Sequence, residues 1–253
     1  MKWLMLPPTL LLAGLASTPW TLAGVGRQGE PEEFEEFEVF IEINATDEDA
    51  GLQGLLDGEA WSKAKISGPD GRTVFQLQPS ANLKDQGVTE FAWESNEPEF
   101  DEFSLAQFLA RFPAGEYTAR GKTVDSDSSP AFDLESTTEL THDLPAGPEI
   151  TSPEEEEEIV VTGENLKVSW EEVDEDYQGG PLGSDIVLYQ VVCEFEDEET
   201  LRVFSVDVDP DVFCAEIPGD FLKPDREYKL EVAAREESGN QTTSEITFCT
   251  VSE

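Results

Sequence analysis

The sequence predicts an all-β protein of two tandem β-sandwiches, and three observations carry that expectation. Apolar and polar residues alternate in short runs, broken by turn signals every 8–15 residues, as half-buried strands require. The chain has 253 residues, room for one large or two ordinary domains. A corner built on proline and tyrosine occurs twice, ending at Tyr117 and at Tyr228, an offset of 111 residues.

Composition narrows the class further. Fifteen Lys and Arg face 57 Asp and Glu, giving a formal net charge of -42 and a pI near 4.1. Such a polyanion repels phosphate backbones and anionic lipid, so nucleic-acid binding is excluded as the main role. Residues 24–145 hold 27 acids and 8 bases, and residues 146–253 hold 30 and 6, so the acidity is no tail. With 38% hydrophobic residues the chain is too apolar to be a disordered acidic polymer.

Residues 1–23 read as a secretory signal: Lys2 at the start, an apolar run from Leu6 to Ala16, then small residues to Ala23. Cleavage fits after Ala23 or after Ala16, and an uncleaved anchor is the alternative. The run is short for a membrane span of about 20 residues. A secreted or periplasmic protein is therefore expected. Residues 24–36 (GVGRQGEPEEFEE) form an acidic, flexible lead-in.

The first domain is expected over 37–143. Phe37–Ile43, Trp61–Ile66 and Thr73–Leu77 alternate as strands, with the turn Gly68-Pro-Asp-Gly71 between the last two. Phe103–Arg111 carries apolar residues at helical spacing after Asp101-Glu102 and reads as one or two helical turns. The corner Pro113-Ala-Gly-Glu-Tyr117 follows, and Glu116–Val124 and Leu134–Thr141 close the sandwich. Asp143–Pro148 would be a short, stiff linker.

The second domain is expected over 144–253. Its seven strands are Pro148–Ile150, Leu166–Trp170, Ile186–Glu194, Leu201–Val206, Val212–Ile217, Lys229–Arg235 and Thr243–Val251, enough for two packed antiparallel sheets. Alternation points Tyr189, Val191 and Cys193 inward. The strand Leu166-Lys-Val-Ser-Trp170, the Tyr189-Gln-Val191 strand and the corner Leu222-Lys-Pro-Asp-Arg-Glu-Tyr228 together resemble the fibronectin type III domain, over about residues 146–252. The acidic stretch Glu154–Glu158 and a long loop near Asp174–Ser184 depart from that pattern and lengthen loops only. The resemblance implies contact with protein or glycan, or spacing, and no chemistry; no Arg-Gly-Asp is present. The first domain reads as an immunoglobulin-like cousin.

Chemistry finds few candidates. The one histidine, His142, falls at the expected domain edge, and no phosphate loop or zinc spacing occurs. An enzyme is not expected. Calcium is the cation that the composition invites, because it takes six to eight oxygen ligands. Ala45–Gly54 resembles the cadherin segment in which alternate aspartates hold calcium, which would make Asp47 and Asp49 metal ligands; that family's other acidic motifs are missing here. The competing reading is a polar loop. Asp207–Asp211 imitates half of an EF-hand loop, with Val212 where glycine is required, and Glu154–Glu158 reads as a solvated loop. Cys193, Cys214 and Cys249 show no obvious pair, and none is expected between Cys193 and Cys249. Asn44-Ala-Thr46 and Asn240-Gln-Thr242 fit glycan acceptor sites.

The functional expectation is a non-catalytic secreted binding or structural module that contacts an extracellular or periplasmic protein or glycan through loops and sheet edges. The alternatives are a calcium-stabilised adhesion protein and a small secreted hydrolase using carboxylates.

Overall fold

The computed structural model describes residues 30–125, 130–197 and 200–252. The signal expected over 1–23 and the start of the lead-in lie outside them. Among the described residues, no helix is long and apolar enough to cross a membrane. The fold is all-β, with two short helices among the described residues.

The first-half elements are β1 (Glu36–Asn44), β2 (Asp49–Ser67), β3 (Thr73–Leu77), α1 (Ala81–Gln86), β4 (Val88–Glu94), α2 (Leu105–Arg111), β5 (Gly115–Thr123) and β6 (Asp133–Leu140). The second half adds β7 (Ile150–Ser152), β8 (Glu157–Val160), β9 (Leu166–Trp170) and β10 (Ile186–Asp197). After them come β11 (Thr200–Val208), β12 (Cys214–Ile217), β13 (Arg226–Glu236) and β14 (Gln241–Val251). The chain divides into two compact units. Unit 1 holds the described residues up to Val39 with Gln53–Ser95 and Phe112–Leu140; unit 2 holds Phe40–Leu52, Asn96–Arg111 and everything from Thr141. Two segments of the first half, Phe40–Leu52 and Asn96–Arg111, thus belong to unit 2.

In unit 1, β2 is the central strand. Its first part pairs antiparallel with β4, and its last part pairs with β3 on one side and β5 on the other. β5 pairs in turn with β6. Ala64 and Ile66 on β2 and Tyr117 and Ala119 on β5 are buried at alternate positions, as a half-buried sheet requires, whereas consecutive residues such as Leu55 and Leu56 are buried in the first part of β2. The corner behaves as its sequence suggests: the Tyr117 hydroxyl donates to Pro113 O at 3.2 Å. Burial raises the Tyr117 phenol pKa to about 12, with help from the nearby Asp70 charge.

Of the stretch Ala45–Gly54, read from sequence as a polar loop in the competing reading, Asp49–Gly54 is strand, and β2 continues from it to Ser67. Its glycines disguised it. A Cβ at Gly54 would lie 2.5 Å from the Trp93 ring, so the glycine lets an indole lie flat against the strand. Trp93 continues a column with Phe75, 5.6 Å away and nearly parallel, and Phe91, 5.4 Å from Phe75.

Unit 2 contains all seven expected strands, three in one sheet (β12-β9-β7) and four in the other (β11-β10-β13-β14). Trp170, Tyr189, Val191, Cys193, Leu230, Val232 and Phe248 form the core between them, and each fully buried large side chain contributes roughly 1.5–3 kcal/mol. Tyr228 is wholly buried; its oxygen accepts the Lys223 N–H at 2.7 Å and its hydroxyl faces Phe221 O at 3.4 Å. This is the tyrosine corner that the resemblance to fibronectin type III domains implies, and unit 2 is a type III-like sandwich.

Two additions depart from the expected plan. Two of the five residues of the supposed solvated stretch Glu154–Glu158 are strand: Glu157 and Glu158 open β8, which runs parallel to β14 from Phe248 to Val251. Glu42–Asn44 of β1 runs parallel to the other end of β14, Gln241–Thr243. The outer edge of β14 is thereby covered at both ends, which removes a template for unwanted pairing. The supposed linker is also laced down, since Leu144 O accepts the Tyr177 N–H and Ala146 N–H donates to Glu175 O. The helix came where expected: at its start, Gln107 Oε1 accepts the Ser104 N–H at 3.1 Å, half of a capping box.

Candidate functional site: a cation-bearing sheet face

Asp47 and Asp49, the residues singled out as metal ligands, meet different neighbours. Asp47 closes the β1–β2 turn, where Asn44 Oδ1 accepts the N–H groups of Thr46 and Asp47. Its carboxylate takes a hydrogen bond from Asn44 Nδ2 at 3.3 Å. Burial and the neighbouring Glu245 charge raise its pKa, and Lys229 opposes them. Asp49 is 4% exposed and lies in different company, its charge helping Glu48 to raise the Tyr177 pKa after burial has done so. Among the described residues no group of three or more acids, histidines or cysteines is placed to hold a metal ion.

The other singled-out residues resolve as structure. Cys193 is buried, Cys214 exposed and Cys249 half-buried, and all three are free thiols. Burial pushes the Cys193 thiol far above its usual range. His142 is half-buried beside Thr141, whose carbonyl accepts from Asn240. Asn240 itself cannot carry a glycan in the folded protein. It is fully buried, and its Nδ2 donates to Thr141 Oγ1 at 2.9 Å and Asp143 O at 3.1 Å, while its Oδ1 accepts the Ile41 N–H at 2.8 Å. Asp207 accepts from Gln190 Nε2 at 2.8 Å, a cross-strand contact and not a cation loop.

A site that the sequence reading missed lies on unit 1. Lys63 and Lys65 alternate on β2, and Arg120 and Lys122 alternate on β5, so all four point to the face opposite Ala64, Ile66 and Ala119. The register sets Lys63 opposite Lys122 and Lys65 opposite Arg120. Continuing outward, Asp133 stands opposite Lys122 and Glu135 opposite Arg120 on β6, while Gln76 of β3 flanks Lys65 on the other side. Four of the chain's 15 Lys and Arg are thus gathered on one face of two strands.

Like charges in direct register are unfavourable by a fraction of a kcal/mol up to about 1 kcal/mol, and β6 offsets only half of the set. Glu135 grips Arg120 through two oxygens, at 2.7 and 3.1 Å, and that hydrogen bond, then its charge, raises the guanidinium pKa. Asp133 meets Lys122 at 3.6 Å. Among the described residues Lys63 and Lys65 form no ion pair.

The face is recessed. Lys63, Lys65 and Arg120 line a groove of about 1030 Å³ together with four carboxylates, Glu30, Glu32, Asp133 and Glu135, and with Gln76, Gln78 and Phe132. A shallower depression of about 480 Å³ shares Lys65 and Arg120 with it and runs on to Ser67 and Thr118. Register shifts on either side of Lys63–Ile66, against β5 at Trp61/Lys63 and against β3 at Ile66/Ser67, bracket the segment. Irregularities of this kind bend a strand and re-aim its side chains. The floor is kept thin at Gly121, where a Cβ would stand 2.6 Å from the Phe34 ring behind it. The signal in the sequence was the pair of i, i+2 bases in Trp61-Ser-Lys-Ala-Lys-Ile66 and Ala119-Arg-Gly-Lys-Thr123, placed within expected strands.

No protein-family model and no curated protein matches the sequence. Solved structures do. The fibronectin(III)-like modules of Clostridium thermocellum CbhA align over 87% of this chain and 93% of theirs, at 8% identity and a TM-score of 0.33. The FN1–FN3 domains of chicken CNTN1 align over 87% and 66%, at 13% identity and 0.33. A two-domain fibronectin type III segment of chicken tenascin aligns over 85% and 97%, at 14% identity and 0.26. The scores are low, and the type III character of unit 2 stands on its own strands and tyrosine corner.

Proposed function

We propose that this chain is a non-catalytic, secreted binding module and that the recessed face of unit 1 is its ligand surface, selective for carboxylate-bearing polymers. The observation that supports this is the pair Lys63 and Lys65. In a chain with 57 acids and 15 bases, two neighbouring ammonium groups face a groove without a carboxylate partner among the described residues. Arg120 and Lys122 beside them already hold carboxylates of the chain, Glu135 and Asp133. Gln76 and Gln78 add donors and acceptors along one wall, and Phe132 adds an apolar contact. Of the four acids that line the groove, Asp133 and Glu135 hold cations, while Glu30 and Glu32 pair with none among the described residues, so the lysines would have to recognise a ligand acid beside two acids of the chain itself.

The test uses immobilised poly-L-glutamate, alginate and, as a neutral control, dextran. Wild-type protein is expected to be retained by at least one carboxylate polymer and not by dextran. A Lys63→Gln/Lys65→Gln variant should bind about tenfold more weakly, the equivalent of about 1.4 kcal/mol. Absence of wild-type retention on both carboxylate polymers overturns the proposal.

A further inference from the structure

The β14 edge of unit 2 is closed at its two ends by unequal means. At one end β1 is anchored by Ile41 and Ile43, both fully buried, and by the Ile41 N–H bond to Asn240. At the other end stands β8, four residues that pair with β14 alone among the described residues. Glu157, Glu158 and Val160 are exposed there, and only Ile159 and the following Val161 pack against the core, each partly buried. Backbone bonds fasten the margins: Glu156 N–H donates to Thr247 O at 2.8 Å, and Val161 N–H to Val251 O at 2.9 Å. The Glu155 carboxylate accepts the Thr247 N–H at 2.9 Å and the Thr247 hydroxyl at 3.0 Å.

Two features work against this closure. Glu156 has a φ of 60°, a left-handed conformation that a residue with a Cβ adopts only at a cost. Glu154–Glu158 are five consecutive carboxylates, and among the described residues none of them forms an ion pair. The register sets Glu158 beside Cys249, and Cys249 beside Glu227, an exposed acid. Lys229, the base opposite Thr247 on β13, is already bridged to Glu231 and Glu245. Arg226, opposite Thr250, directs its guanidinium to Asp225 O at 3.1 Å.

Repulsion of this kind is controlled by salt. The Debye length is about 8 Å at physiological ionic strength and about 30 Å at about 0.01 M. In dilute salt every glutamate of the run therefore feels the others, Glu227 and the rest of a chain of net charge -42. A segment with little buried apolar surface opens without the domain unfolding.

We infer that Glu154–Val161 is a strap whose closure is set by ionic strength. It lies along β14 when salt screens its carboxylates and leaves the edge as salt is withdrawn, uncovering the backbone of Thr247–Val251. The device belongs to unit 2 and goes beyond the groove reading, whose polymer tests it neither needs nor affects.

Amide hydrogen exchange of the whole protein, followed by NMR in about 0.01 M and about 1 M sodium chloride, tests the strap. The amides of Glu156, Thr247 and Val161 should exchange faster than those of Leu230 and Val232 in the core, which marks local opening. They should slow about fivefold or more at high salt. Catalysis cannot produce that sign, because screening the acids admits hydroxide and speeds exchange from an open chain. A Glu154→Gln/Glu157→Gln/Glu158→Gln variant keeps the Glu155 carboxylate on Thr247. Its strap amides should exchange slowly at both salt concentrations, with the core amides responding as in wild type. Strap amides that exchange at the core rate, or that salt leaves unchanged or speeds, overturn the inference. So does a variant that keeps the wild-type salt response.

Discussion

Lys65 and Arg120 stand directly opposite each other on neighbouring antiparallel strands, two cations in register in a chain of formal net charge -42. Folding alone gains nothing from that placement, because like-charge cross-strand pairs are unfavourable. Glu135 answers Arg120 and leaves Lys65 to the groove.

Replacing Lys63 and Lys65 by glutamine should therefore leave stability unchanged or raise it by up to about 1 kcal/mol. Urea unfolding of the variant measures this. An unchanged midpoint together with lost polymer binding separates recognition from folding, whereas a marked destabilisation would place the lysines in the scaffold.

Lys229 sits at the other extreme. Its ammonium bridges Glu231 at 2.8 Å and Glu245 at 2.7 Å on the sheet face of unit 2. Those partners raise its pKa against the opposing effect of burial. Lys229→Met should cost about 1–3 kcal/mol by leaving part-buried carboxylates without their cation, measured by chemical denaturation.

The same cluster sets a pH dependence. Burial, then the Glu231 charge, raises the Glu194 pKa, and burial, then Glu245, raises that of Asp47. An acid whose folded pKa exceeds its unfolded value is held more tightly as the protonated form in the folded state. Its penalty is absent at low pH and grows as pH rises from the unfolded value through the folded one. Melting temperature should accordingly rise on mild acidification from neutral pH toward the ordinary carboxylate range. Glu194→Gln should flatten that rise; a profile that the variant leaves unaltered contradicts the assignment.

Tyr228→Phe should cost more than Tyr117→Phe. The first strands the Lys223 N–H, whose acceptor lies 2.7 Å away, and an unmet buried donor costs about 1–3 kcal/mol. The second removes a donor to Pro113 O at 3.2 Å and leaves only a carbonyl to be resolvated, a net loss of about 0.5–1.5 kcal/mol. Paired thermal denaturation curves rank the two.

Calcium at Asp47 and Asp49 is a separate proposal with a direct check. Because the two carboxylates lie in different surroundings, millimolar calcium in low-salt buffer should leave the melting temperature of wild type and of Asp47→Asn alike. A rise confined to wild type would establish the site.

Much of the fold was legible. The alternation in Leu166–Trp170 and Ile186–Glu194 marks one inward face each, and the two tyrosine corners announce themselves by local spacing. What stayed hidden depends on partners distant in sequence. Gly51 and Gly54 make the end of Ala45–Gly54 look like a loop until Trp93 is seen lying on Gly54. Glu157–Val160 looks like a solvated acid run because nothing local reveals that β14 has an edge to cover. The groove was half legible: alternation alone puts Lys63 and Lys65 on one face, but only the β2–β5 register brings Arg120 and Lys122 beside them.

The most direct test of the account is an amide-resolved NMR titration of the labelled protein with poly-L-glutamate at physiological salt. The account predicts saturable shifts centred on Lys63–Ile66, Ala119–Lys122 and Thr73–Gln78, absent in Lys63→Gln/Lys65→Gln. Shifts confined to unit 2, or none at saturating polymer, would contradict it.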